Sequence, residues 1–151
     1  MKMATLLIST ACALTNVTAL AEGRYSYSTD GSEVTDSQTE LIWRRCAEGM
    51  SWSGATCTGS ATGYTHEEAL ARAKTQSGWR LPNVKEIASI TDKSRYNPAI
   101  DTDAFPATPP AYFWTATPGA VSGSSAWYIS LTVGSIFLSS RNNAYRIRLV
   151  R

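Results

Sequence analysis

The sequence predicts an α+β domain: two capped helical stretches, then a proline-rich irregular segment, then a last quarter in which apolar residues alternate with period two. The helical stretches open at Thr65 and Asn83, the irregular segment carries Pro98, Pro106, Pro109, Pro110 and Pro118, and the alternation runs from Trp127 to Leu149. With 151 residues, 43% of them hydrophobic and 17% charged, the chain is long enough to enclose the core of one domain.

The first segment reads as a leader. Lys2 precedes an uncharged run, Met3 to Leu20, whose apolar part is Ala4 to Leu14, and Ala19-Leu20-Ala21 offers small residues where a signal peptidase reads them. Cleavage is expected after Ala21, giving a signal peptide over 1–21 and one domain over 22–151. Thr10, Thr15, Asn16 and Thr18 interrupt the run, which falls short of the ~20 apolar residues that span a bilayer, so no transmembrane segment is expected in the mature chain. Cys12 stands in Ser9-Thr10-Ala11-Cys12, with Ser where a lipoprotein site carries a branched apolar residue, so lipidation is the lesser reading.

Tyr25–Ser28 and Leu41–Arg44 read as short strands separated by a turn-rich stretch with Asp30-Gly31. Cys46 and Cys57 then remain as an even pair in an oxidising compartment, and a disulfide between them is expected. Closing so short a loop contributes about 2–3 kcal/mol. The rival reading, a two-cysteine metal or redox site, has neither a nearby His nor a C-x-x-C spacing. The loop shows no periodic pattern, so reduction is expected to loosen Glu48–Thr56 and leave Trp127–Val150 folded.

Thr65-His66-Glu67-Glu68 is a capping box, and Ala69, Leu70 and Ala73 recur at helical spacing up to a stop at Gly78. Asn83 with Glu86 three residues on opens the second helix, whose buried face is Val84, Ile87, Ala88 and Ile90. In the proline-rich segment only Tyr112–Thr115 looks like strand. At the end, Trp127, Ile129 and Leu131 share a face, Val133-Gly134 turns, Ile136 and Leu138 share a face of the return strand, and Tyr145, Ile147 and Leu149 share a face of the last. The expected product is an antiparallel meander whose final strand has a core face and a basic face of Arg146, Arg148 and Arg151.

A formal charge of +2 suggests no nucleic-acid surface. With one His and three Cys, the residues that build metal sites and nucleophile–base pairs are nearly absent, so no metal, cofactor or catalytic constellation is expected. His66 is expected to be exposed and has no visible Ser or Cys partner. Glu86 is accounted for by capping, and Trp79-Arg80-Leu81 by a buried Trp beside an Arg that bonds loop carbonyls. The binding surface follows from alternation: with Trp127, Ile136 and Leu138 inward, Tyr128 and Phe137 face out beside Ser139, Arg141, Asn142 and Asn143. That mixture of rings, hydroxyls and amides suits sugar stacking or a protein contact; a plain solvated sheet edge is the competing account.

Five blocks in order, Val34–Cys46 (VTDSQTELIWRRC), Gly78–Ile87 (GWRLPNVKEI), Asn97–Pro106 (NPAIDTDAFP), Phe113–Pro118 (FWTATP) and Tyr145–Arg151 (YRIRLVR), resemble the Lcl C-terminal domain family. That resemblance implies a secreted or surface bacterial protein, in the periplasm or at the cell surface. It further implies a C-type-lectin-like fold of the formylglycine-generating-enzyme type. The calcium-binding triplets of that wider fold are missing, since Asn97-Pro98 lacks a preceding acid, and so is a late cysteine pair, Cys57 being the last. Neither calcium-mediated sugar binding nor the oxidising activity is therefore carried over.

The leading expectation is a secreted, non-enzymatic module that recognises a glycan or protein on another surface. Two alternatives stand beside it. Some proteins of this fold are variable-region targets of diversity-generating retroelements, and Ala126–Arg151, with Asn142-Asn143, occupies the corresponding place. The other is a polysaccharide-active enzyme using Asp101 and Asp103, which on an extended segment point to the same side about 7 Å apart.

Overall fold

The computed structural model describes residues 23–121 and 123–151; the expected signal peptide and Cys12 lie outside them. Its elements are β1 (Tyr25–Tyr27), β2 (Glu33–Asp36), β3 (Ile42–Arg44), β4 (Ser51–Trp52), β5 (Cys57–Thr58), α1 (His66–Lys74), α2 (Val84–Ser89), β6 (Tyr112–Pro118), β7 (Ser125–Ser130) and β8 (Ser135–Ser140). The strands form three antiparallel sheets, β1-β2-β3, β4-β5 and β6-β7-β8, so the chain is α+β.

β2 lies inside the stretch read as turns. Its four residues carry one apolar side chain, Val34, which is too little pattern to register as a strand, yet Val34 is fully buried. Asp36 beside it is also fully buried and accepts two bonds from Arg24, Nε to Oδ1 at 2.9 Å and Nη2 to Oδ2 at 2.7 Å, with Gln38 N–H and the Thr39 hydroxyl completing its shell. Burial pushes this carboxyl up, but its bonds to Arg24, Gln38 and Thr39 outweigh that and hold it below the usual range.

Both helices begin where their caps place them. Thr65 and Glu68 exchange bonds around the start of α1, and Asn83 and Glu86 do the same for α2. The helices cover opposite faces of the late sheet, because successive residues of β6 point to opposite sides. Phe113 and its cross-strand partner Ile129 join Ile87 of α2 in a core that also holds Val34, Trp43, Phe105 and Leu131. Trp114 and Ala126 join Ala69 and Ala73 of α1, with Leu81, Ile147 and Leu149, in a second. Small alanines on α1 let the helix sit close to the indole of Trp114.

The last segment departs from the expected strand. Tyr145–Val150 makes single bridges instead: Tyr145 with Tyr64, Arg146 with Phe113, and Val150 with both Trp43 and Arg80. It threads between the first and last sheets, with Arg44 N–H on Leu149 O and a reciprocal pair between Ile42 and Arg151. A central segment has neighbours on all sides, so the expected basic face does not form. Arg148 is fully buried, Arg146 is half-buried, and Arg151 lies outside with its Nη2 on Glu33 Oε2 at 2.6 Å.

A second correction concerns β8. Ile136 and Leu138 were expected inward, but they are 44% and 43% exposed, and Trp127 opposite Leu138 is only half-buried. Alternation sorts side chains onto two faces; it does not tell that β8 is the edge strand, where the core runs out. Cys46 and Cys57 form the expected disulfide, with Cα atoms 5.4 Å apart, and the loop they close contains the small β4-β5 ladder. Among the described residues no helix is long and apolar enough to cross a membrane.

Candidate aromatic surface on the late sheet

On the face of the β6-β7-β8 sheet that carries Trp114, four rings crowd together. Tyr128 of β7 lies 5.1 Å from Tyr112, 4.8 Å from Tyr145 and 5.7 Å from Phe137 between ring centroids, and Tyr145 lies 5.2 Å from Tyr112. Register explains the gathering. Tyr128 is directly opposite Trp114 on one side and Phe137 on the other, and Tyr112 precedes Trp114 by two residues and so shares its face. The indole of Trp114, fully buried and donating to Tyr64 O at 2.8 Å, forms the floor, 4.6 Å from the ring of Tyr145. Tyr112 and Phe137 are each 44% exposed, while Tyr128 and Tyr145 are half-buried.

Polar groups border the rings. The Tyr145 hydroxyl and Ser139 Oγ are 2.9 Å apart, and Asn143 Nδ2 donates to Ser139 Oγ at 2.7 Å. Burial among these rings pushes the Tyr128 phenol up, with smaller contributions from Tyr145 and Tyr112, so it stays a neutral hydroxyl at physiological pH. The surface therefore offers π faces and neutral hydroxyl and amide groups.

Of the residues expected at the surface, Tyr128, Phe137, Ser139 and Asn143 come together. Arg141 and Asn142 sit at the turn after β8, where Asn143 N–H bonds Ser140 O, and the Arg141 guanidinium is drawn to Ser125 O at 3.1 Å. Tyr112 and Tyr145 complete the array without having been assigned to it. Tyr145 packs, as expected, against the core that holds Ile147 and Leu149, but it is only half-buried, and its bridge to Tyr64 sets its ring beside Tyr128.

The other candidates fall elsewhere. His66 is buried rather than exposed: Nε2 donates to Thr115 O at 2.9 Å, the ring stands edge-on to Trp114, and Nδ1 has no partner among the described residues. Burial pushes its pKa down, the bond to Thr115 opposes this, and Arg141 adds to the lowering. Glu86 caps α2 and also takes both Nη atoms of Arg80, at 2.7 and 2.8 Å, so Arg80 finds a carboxylate more than loop carbonyls. Trp79 is half-buried, with the guanidiniums of Arg44 and Arg151 over its ring at 4.8 and 4.7 Å.

Asp101 and Asp103 line a cleft of about 730 Å³ together with Arg24, Tyr25, Tyr27, Asp92 and Lys93. Asp101 Oδ1 accepts from the backbone of Asp103 and Ala104, and Asp92 accepts from Ser94 and Arg95, so both hold turns. The model of one family, the Lcl C-terminal domain, matches residues 32–151, most of the chain. No curated relative matches it.

Proposed function

The chain belongs to the Lcl C-terminal domain family, and from that premise we propose that it is a secreted, non-enzymatic recognition module whose ligand is a glycan on another surface. The observation that carries this reading is the cluster of Tyr112, Tyr128, Tyr145 and Phe137 bordered by Ser139 and Asn143. Sugars present apolar C–H faces edged by hydroxyls. Rings take the first, and neutral hydroxyl and amide groups take the second. The Cys46–Cys57 disulfide supports an oxidising compartment, here the periplasm or cell surface. A C-type-lectin-like fold is part of the proposal. Its support is the order of two helices, irregular loops and late antiparallel sheet, and the pairing of Ile42 near the start of the domain with Arg151 at its end.

A glycan array probed with the secreted protein tests the reading. Binding is expected, and Tyr112→Ala with Tyr128→Ala should weaken it roughly 100-fold, as loss of two stacking rings does. Comparison of thermal melts establishes that both proteins are folded. Unchanged glycan binding by the folded double variant would overturn the site, and the absence of any glycan signal from the parent would overturn the ligand class.

A further inference from the structure

The β6-β7-β8 sheet has two edges, and they are treated differently. The β6 edge is closed by chain: Trp114 N–H bonds Arg146 O at 2.9 Å, Arg146 N–H bonds Tyr112 O at 2.9 Å, and Ala116 N–H bonds Pro82 O at 2.8 Å. The β8 edge pairs with β7 on one side, and among the described residues no strand or bridge covers the other. Only Ser140 O is taken there, by Asn143 N–H in the following turn.

Exposed edges are ordinarily protected by a charge, a proline, a bulge or shortness. β8 has six residues, SIFLSS, with no charge and no proline, and the register irregularity of this sheet falls between Trp114 and Pro118 of β6. Its three apolar residues, Ile136, Phe137 and Leu138, are each exposed by more than two-fifths. The sequence is also nearly its own complement. Reversed about Phe137, Ile136 meets Leu138 and Ser135 meets Ser139, so an antiparallel copy matches apolar with apolar and hydroxyl with hydroxyl. The absence of charge means that two copies meet without repulsion, which a lysine in this strand would impose.

We propose that β8 pairs antiparallel with β8 of a second copy of this chain, about a two-fold axis at Phe137, joining the two late sheets into one. Such a contact is isologous and closes at two copies, because among the described residues this is the one free edge of each late sheet. It sets the two Phe137 rings side by side on the aromatic face, which would bring two ring clusters into one surface, while Ile136 and Leu138 meet on the opposite face. The proposal does not depend on the ligand reading, since neither Ile136 nor Leu138 belongs to the ring cluster.

Sedimentation equilibrium of the secreted protein up to roughly 100 µM tests the pairing, with three sequences compared. The parent is expected to be a dimer. Ile136→Lys with Leu138→Lys, which sets cations opposite cations, should weaken dimerisation roughly ten-fold or more, and Ile136→Lys with Leu138→Glu, which sets opposite charges at the paired positions, should restore it. Both sites are exposed, so each variant should keep the parent's near-ultraviolet circular dichroism. A monomeric parent, a parent of other stoichiometry, an undiminished dimer in the two-lysine variant, or a folded lysine–glutamate variant that stays monomeric would each overturn the proposal.

Discussion

Replacing Arg148 by Met is expected to destabilise the domain by about 2–3 kcal/mol, a net of two opposed effects. The guanidinium is fully buried and among the described residues no carboxylate pairs with it; Nη1 donates to the carbonyls of Arg44 and Arg45, Nη2 donates to Thr108 Oγ1 at 2.6 Å, and the group lies over the ring of Phe105 at 4.9 Å. These bonds fasten the end of the chain to the end of β3 and to the loop at Thr108. Methionine keeps most of the stem's volume but strips the Arg44 and Arg45 carbonyls of this donor, at about 1–3 kcal/mol each, while Thr108 keeps its bond to Phe105 O. Against that stands relief from burying an uncompensated cation, which pushes the guanidinium pKa down yet leaves it charged at neutral pH. Arg148→Ala adds a cavity and should cost about 2 kcal/mol more than Met. Urea unfolding followed by tryptophan fluorescence measures both. A methionine variant as stable as the parent would refute the reasoning, since the cation would then be a net cost and not a pin.

Three further outcomes follow from the same geometry. His66 is neutral and buried, with its folded pKa depressed by burial first, so the unfolded chain takes up the proton more readily; stability should be complete above pH ~6.5 and fall as pH drops below that value, and His66→Gln should flatten this part of a melting-temperature profile. Gly49, at φ 93°, has no room for a side chain, because a Cβ would stand 2.2 Å from Thr62 Oγ1 and 2.8 Å from Thr62 N; Gly49→Ala should cost about 2–4 kcal/mol, and Gly54→Ala, at the same φ in open space, only about 1, both read from urea midpoints. Reducing Cys46–Cys57 should cost about 2–3 kcal/mol and raise amide exchange in Ser51–Thr58 while β6–β8 stay protected. Loosening should not reach Glu48, whose carboxylate holds Arg72 at 2.6 Å and whose N–H bonds Ile147 O.

What the sequence made legible is what local rules govern. A capping box is completed by residues three apart, so Thr65–Glu68 and Asn83–Glu86 announced both helices, and Gly134 at φ 71° was readable as the turn between β7 and β8. The disulfide was legible because, with Cys12 assigned to the expected signal peptide, Cys46 and Cys57 admit one pairing. β2 was not, since its strand character comes from the backbone ladder to β1 and β3, and the buried Asp36 owes its place to Arg24, 12 residues earlier.

The surface was half legible for a physical reason. Alternation gives parity, so it put Tyr128 and Phe137 on the same side, and the register of β7 with β8 bears that parity out. Parity is silent about what lies beyond the strand. It could not tell that α1 covers Ala126 while Ile136 and Leu138 of β8 stay open, nor that the final segment bridges Tyr64 and so delivers Tyr145 to the rings. His66 shows the same limit: its first-turn position suggested exposure, but Thr115, 49 residues away, holds the imidazole against Trp114. Exposure is thus decided by contacts across long stretches of chain, and a reading built on neighbours three or four residues apart finds the faces of elements before it finds which face the protein leaves to solvent.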